Sequence, residues 1–340
     1  METYLQATDL PDDWDNSTQD NPYLKKEFLI FLDQVDQSDK SYHLFRNKQG
    51  DIDSQFIRHR RTGYNLTMFT RFKSSLKMNF IYMPVSVARP GLILGSETAK
   101  EALSYIKSIK GWKMILNLPE NTYLPDFSKG PTCPRCVLTL KWSSFEHYLA
   151  SMRSAYRRRY LQAFKKSAPL NIYFLPDNKD FSFELYQLYE KVYERSPYKL
   201  EKLTWDFFKS ERFKVIVLEK DQQPYGFVQF LANGTELIFE FVGFNHEQNH
   251  EYDIYIRLLL EIVRYGLKNG FKTIDFGQTA DEAKLKLGAR YETLYAFLHH
   301  HNPIINYLAK RTSPYLGYKA LDDSQFHVFK KSDDNISGVN

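Results

Sequence analysis

Three stretches of the sequence carry side chains whose types and spacing could do chemistry. The first is residues 271–289, FKTIDFGQTADEAKLKLGA. It reads as a short strand, a break at Gly277 and a short helical run that Gly288 ends. Such a strand tip gathers backbone N–H groups and a few side chains, here Gln278 and Thr279, where ligands of α/β sheets bind. An ordinary strand-to-helix corner with a C-capping glycine has the same pattern. The second stretch is residues 142–166, where Phe145, Leu149, Met152, Tyr156 and Tyr160 recur at helical spacing. Arg153, Arg157, Arg158, Arg159, Lys165 and Lys166 make one side of this helix basic. That side is either a solvated face or a clamp for phosphate or carboxylate, with Arg153 and Arg157 one turn apart.

The third stretch is an expected hairpin, residues 225–231 and 236–244, around Asn233-Gly234. With Asn233-Gly234 as the two-residue turn, one face carries Val228, Phe230, Leu237, Phe239 and Phe241. The other carries Phe227, Gln229, Ile238 and Glu240, with Gln229 diagonal to Glu240. A carboxylate among aromatics needs either a basic partner from a packed helix or a raised pKa, as a general base has. A polar loop, HEQNHEYD, then leads to a helix over 254–268, with Asp253 as a plausible N-cap. The free N–H groups at Asp253, Ile254 and Tyr255 suit an anion.

Elements must hold these groups in place, and the chain is long enough for two domains. It has 340 residues, 43% hydrophobic and 26% charged, with 24 Tyr and 26 Phe. This is a globular composition with material for aromatic cores. A net charge of +5 permits an anionic partner without identifying one. Cys133 and Cys136, spaced C-P-R-C, lead into a strand rather than a helix, which favours buried structural thiols over zinc or redox work. Reduced thiols, an acidic N-terminus without an apolar core and no run of about 18 apolar residues point to a cytoplasmic protein without a membrane span.

Before residue 142 the expected order is a helix at 21–33 and strands at 42–45 and 53–58. Short apolar runs at 66–69 and 80–84, a helix at 97–109 and a strand at 112–118 follow. After it come a strand at 170–175, helices at 181–194 and 204–209 and a strand at 213–218. Then come the hairpin, the helix at 254–268 and the 271–289 stretch. A final strand at 291–299 runs into His299-His300-His301, read as surface residues. The resulting division is 1–141, a basic linking helix 142–168, a second α/β domain 169–320 and a tail 321–340.

The order from residue 170 onward resembles the GNAT (Gcn5-related N-acyltransferase) fold. DFGQTADEAKLKLGA is similar to the D-F-G…K-x-x-x-G signature of the branch that contains Fem-type peptidyltransferases. SMRSAYRRRYLQA resembles that branch's Arg-rich joining helix, and NPYLKKEFL its opening helix. The resemblance implies two GNAT-like α/β domains in tandem, the first degraded, and acyl transfer to a primary amine. It places Lys284 as the motif lysine, which would bind phosphate or stabilise developing negative charge, and as a cleft lysine would add little packing. Asp275 and Gln278 match the strand-tip residues, and Arg157 and Arg158 the basic helix. Ordinary GNAT enzymes hold the CoA pyrophosphate on a Gly-rich loop; the counterpart here, HEQNHEYDI, has no glycine.

Acyl-CoA is the expected donor and co-substrate, and no metal is expected. The first alternative is an aminoacyl-tRNA-dependent peptidyltransferase of cell-wall synthesis, the reading in which nucleic acid is a partner. Against it, residues 181–210 have room only for two ordinary helices, not for a long coiled-coil arm. The second alternative is a non-catalytic binding protein that keeps the fold.

Overall fold

The computed structural model describes all residues except 19, 37, 62–76, 86, 198–201, 313–316 and 331–340. The apolar run expected at 66–69 lies outside the described residues. Two compact units emerge, each built on a mixed sheet: Met1–Pro134, Leu200–Leu203 and Thr293–Ala320 in one, Arg135–Lys199, Thr204–Glu292 and Leu321–Asn340 in the other. No helix among the described residues is long and apolar enough to cross a membrane.

The first unit starts with β1 (Glu2–Tyr4), α1 (Lys26–Val35), β2 (Lys40–Arg46), β3 (Ile52–Arg61), β4 (Met78–Ile81), β5 (Leu92–Ile93), α2 (Ala99–Ser108), β6 (Trp112–Leu118) and β7 (Ser128–Pro131). β6 is apolar at five of its seven positions and is buried on both faces, as a central strand must be. The expected first helix begins later than its pattern suggests, because Asn21 instead opens a 3-10 turn, its side chain accepting from Tyr23 N.

The second unit continues with β8 (Arg135–Thr139), α3 (Phe145–Ser151), α4 (Ser154–Lys166), β9 (Asn171–Phe174), α5 (Phe183–Arg195), α6 (Trp205–Phe208), β10 (Lys214–Lys220), β11 (Gln223–Asn233), β12 (Glu236–Phe244), α7 (His246–Tyr252), α8 (Ile254–Lys268), β13 (Thr273–Asp275), α9 (Asp281–Lys286) and β14 (Arg290–Glu292). Its strand order is β14-β8-β13-β12-β11-β10-β9. β12 and β13 are parallel, and every other neighbouring pair is antiparallel. The chain then returns to the first unit with β15 (Tyr295–His300) and α10 (Pro303–Thr312). β15 lies between β6 and β7, completing the order β1-β2-β3-β4-β6-β15-β7, with β5 paired to β3.

The linear division expected from the sequence does not follow these units. That division puts β8 in the first domain, and it belongs to the second sheet; it puts β15 in the second, and it belongs to the first. The single strand expected over 291–299 is two strands, β14 and β15, in different sheets. Alternating apolar residues specify a strand without specifying which sheet receives it.

Other expectations also need correction. The expected single helix over 142–166 is two. Ser144 caps α3 by accepting from His147 N, but Met152 and Arg153 are extended. Met152 bridges Phe329, and Arg153 N donates to Val328 O at 2.9 Å. The segment expected to be a tail thus pairs with this break, and Val328 and Phe329 join the core of the second unit. The polar stretch expected to be a loop is helix α7, which Asn245 caps by accepting from Glu247 N. His299 and His300 are buried in β15 rather than on the surface; His301 is exposed. Cys133 and Cys136 are buried thiols.

Candidate functional site

The second sheet opens at one place. β12 and β13 are paired only at Glu236–Thr273, Leu237–Ile274 and Ile238–Asp275. Beyond Asp275 the chain stays with β8: Phe276 N donates to Cys136 O at 2.8 Å and Cys136 N to Gly277 O at 3.0 Å. β12 stays with β11 as far as Phe244. The two parallel strands therefore part after Ile238.

A β-bulge lies at this opening. Phe230 faces Phe239 and Gln229 faces Phe241, so Glu240 is the extra residue of β12. The hairpin turn is Gly234-Thr235, with Asn233 paired to Glu236, one residue later than the expected turn. The bulge moves Phe241 to the Gln229 face, where its ring lies 5.7 Å from those of Tyr189, Phe207 and Phe208. The expected single apolar face is thus divided, and the diagonal pairing of Gln229 with Glu240 is replaced by Gln229 opposite Phe241. Glu240 is buried. Gln229 is fully buried; its Nε2 donates to Phe208 O at 3.3 Å, and its Oε1 has no hydrogen-bond partner among the described residues.

The turn from β13 into α9 closes the other side of the opening. Gly277, Thr279 and Ala280 all have positive φ, at 68°, 65° and 51°. Glycine adopts this conformation freely, but a β-branched threonine does so at a cost that the surroundings must offset. Lys284 supplies part of that hold. Its Nζ donates to Gln278 O at 2.8 Å and Gly277 O at 3.4 Å, and lies 5.5 Å from the centroid of the Phe239 ring on β12. The ammonium group therefore spans the mouth where the strands separate. Lys284 is only 2% exposed, so the expectation that it adds little packing is overturned.

Asp275, also buried, has defined partners. Its Oδ2 accepts from Arg135 Nη1 and its Oδ1 from Gly277 N, both at 2.8 Å. Arg135 also reaches Glu292 on β14, so one guanidinium joins three neighbouring strands. Sequence reading missed Arg135, because nothing local distinguishes it from a surface arginine beside two cysteines. Tyr291 donates to Asp281 Oδ2 at 2.9 Å, and burial pushes the phenols of Tyr255 and Tyr291 well above the usual tyrosine range.

At the start of α8, Asp253 occupies the N-cap position with a left-handed backbone, but its carboxylate does not cap. Arg159 grips it with two hydrogen bonds at 2.7 and 2.8 Å, and Lys166 lies 3.6 Å away. Asn249 of α7 caps instead, its Oδ1 accepting from Tyr255 N at 2.9 Å. Ile254 is buried. Of the basic residues on α4, Arg153 donates to Phe329 O at 3.1 Å. Arg158 is exposed and Arg157 half-buried, and neither is tied to a carboxylate among the described residues. Arg159 is thus the arginine with a partner at the helix start, one residue beyond those singled out from sequence. Among the described residues no group of three or more His, Cys, Asp or Glu is placed to hold a metal ion.

A mixed sheet with two parallel neighbours that part beside a bulge, flanked by α5 and α8, defines a GNAT-type fold in this unit. Residues 150–285 match the family model described as acetyltransferase (GNAT) domain. A conserved protein of unknown function from Bacteroides thetaiotaomicron is similar with a TM-score of 0.56 at 10% identity, covering 86% of this chain and 97% of that one. L-PGS from Bacillus licheniformis is similar with a TM-score of 0.51 at 10% identity, covering 83% and 94%. FemX is similar with a TM-score of 0.50 at 8% identity, covering 91% and 100%. At these identities the likeness is one of fold, and it extends over both mixed α/β units. No curated protein matches the chain by sequence.

Proposed function

We propose that the second unit transfers an acyl group to a primary amine in the opening between β12 and β13. The observation that carries this reading is the parted strand pair, with the buried Glu240 bulge on one side and the Lys284 ammonium at its mouth. In the reaction the amine nitrogen attacks the acyl carbonyl carbon and a C–N bond forms. The carbonyl oxygen takes the negative charge, and the bond to the donor's sulfur or oxygen then breaks. The amine gives up a proton, and the leaving group takes one. A fixed cation beside the developing oxyanion lowers the barrier, the role assigned to Lys284. Glu240 would accept the amine's proton. Gln229, on the neighbouring strand β11, would help orient the acceptor through Oε1.

The match to an acetyltransferase (GNAT) family model supports acyl-CoA as the donor. Gln278, Thr279 and the start of α8 at Asp253, Ile254 and Tyr255 would then face it. One observation favours the second reading, an aminoacyl-tRNA donor. The helix start meant for a pyrophosphate carries the Asp253 carboxylate, which Arg159 holds, and the Tyr255 N–H is used by Asn249. In that reading Arg157 and Arg158 would meet phosphates. A panel of acyl-CoAs in a thermal-shift assay separates the two. A CoA user gains about 2.7 kcal/mol at about 100 times the dissociation constant. A tRNA user shows no shift and binds RNA with an affinity that falls steeply from about 50 to about 200 mM salt. Neither response, together with no acyl transfer to any amine tried, would overturn acyl transfer and leave a binding protein.

A further inference from the structure

Helix α10 of the first unit is built inside out. Its inward residues are Asn306 and Ala309, whereas Ile304, Ile305, Tyr307 and Leu308 are 71%, 39%, 55% and 56% exposed. Asn306 is fixed in its inward position: its Oδ1 accepts from His300 N and its Nδ2 donates to Asp126 O, both at 3.0 Å. The apolar face therefore cannot turn inward without breaking both bonds. No other described helix exposes four large apolar side chains. A contiguous patch of this kind marks a surface that something covers.

We propose that α10 docks the protein on an anionic lipid surface. The charges around the patch favour that occupant. α10 contains no acidic residue and ends in Lys310 and Arg311, and the exposed Lys319 follows. The Arg311 guanidinium lies 5.1 Å from the Tyr307 ring centroid, so cation and aromatic share one face. Asp126, the carboxylate beside the helix, is offset by Lys107 at 3.1 Å and Lys310 at 3.9 Å. Apolar side chains, an aromatic and basic residues on a short helix suit insertion to the level of lipid headgroups, where the chains meet acyl carbon and the cations meet phosphate. A second copy of the chain fits less well. The patch is four apolar side chains on a single helix of 10 residues, well short of the roughly 20–30 residues a side that a stable protein interface uses.

The test uses the full chain with vesicles of phosphatidylcholine alone or mixed with phosphatidylglycerol, read by co-flotation. Binding is expected to the mixed vesicles, to be much weaker to phosphatidylcholine alone, and to fall as salt is raised. Ile304→Ser with Leu308→Ser should lower the apparent partition by about tenfold or more, with an unchanged far-UV circular dichroism spectrum. Arg311→Glu gives a second readout that does not alter the apolar face, and should weaken binding several-fold. No binding to mixed vesicles, or binding that both changes leave intact, would overturn the proposal. So would a concentration-dependent dimer in sedimentation that the double variant dissolves, since the face would then serve self-association.

Discussion

The Nζ of Lys284 lies 2.8 Å from the carbonyl oxygen of Gln278, six residues before it in the chain. One side chain thus fixes the left-handed turn after β13 and holds a positive charge where β12 and β13 part. Both duties can be measured. Lys284→Met keeps much of the apolar stem and removes the ammonium. Turnover should fall by about 10²-fold or more. Stability should fall by about 1–3 kcal/mol as the turn carbonyls lose their donor. A variant with near wild-type turnover and lowered stability would reduce Lys284 to a turn-holding residue.

The half-buried Arg135 pairs with the buried Asp275 on the adjacent strand. Arg135→Ala leaves a buried carboxylate with its main counter-charge gone and should cost about 3–5 kcal/mol in urea denaturation. Adding Asp275→Asn should recover part of that loss, because the stranded charge disappears. Costs that simply add would show that the pair is not coupled.

Gly243 marks where α5 lies against β12. A Cβ there would meet Tyr189 N at 2.6 Å and Leu188 C at 2.8 Å, both backbone atoms. Gly243→Ala should lower stability by about 1–3 kcal/mol through overpacking. Gly234→Ala is the control. Nothing lies within 4 Å of a Cβ at that turn, so only its positive φ resists substitution. Equal melting temperatures for Gly243→Ala and the wild type would contradict the close approach.

Acid should weaken the first unit through three buried histidines. Burial pulls His43 down to about 4, His59 to about 3 and His299 to about 4. His59 is fully buried, and neither of its ring nitrogens has a hydrogen-bond partner among the described residues. These groups are neutral when folded and protonate in the unfolded chain below its value of about 6.5. Their contribution is therefore whole above about pH 6.5 and is lost as pH falls toward the folded values. Each adds a slope of up to about 1.4 kcal/mol per pH unit in that window. His59→Leu should flatten the fall in urea midpoint between about pH 7 and about pH 5. An unchanged slope would show that His59 does not contribute.

Much of the local structure was legible. The bounds of β6, β12 and α8 agree with the sequence pattern, because each rests on apolar periodicity and a nearby glycine or turn signal. The opening turn of the candidate site, its Gly277 break and the position of Lys284 were also legible, being contained within a dozen or so residues. What Lys284 does there was not, since its contacts reach Phe239 on another strand.

Sequence by itself determined the kinds and order of most elements, the hairpin and the strand–glycine–helix corner, since dihedral preference and apolar spacing act over a few residues. Tertiary structure decided the rest. β8 and β15 find their sheets by pairing with strands far away in the chain, and Arg135 meets Asp275 across 140 residues. The Glu240 bulge arises from how β12 registers against β11, and the break at Met152–Arg153 from pairing with Val328–Phe329. Each of these depends on which distant surfaces are buried together. A periodic pattern carries no record of that choice, because the same alternation of apolar residues satisfies any sheet with a free edge.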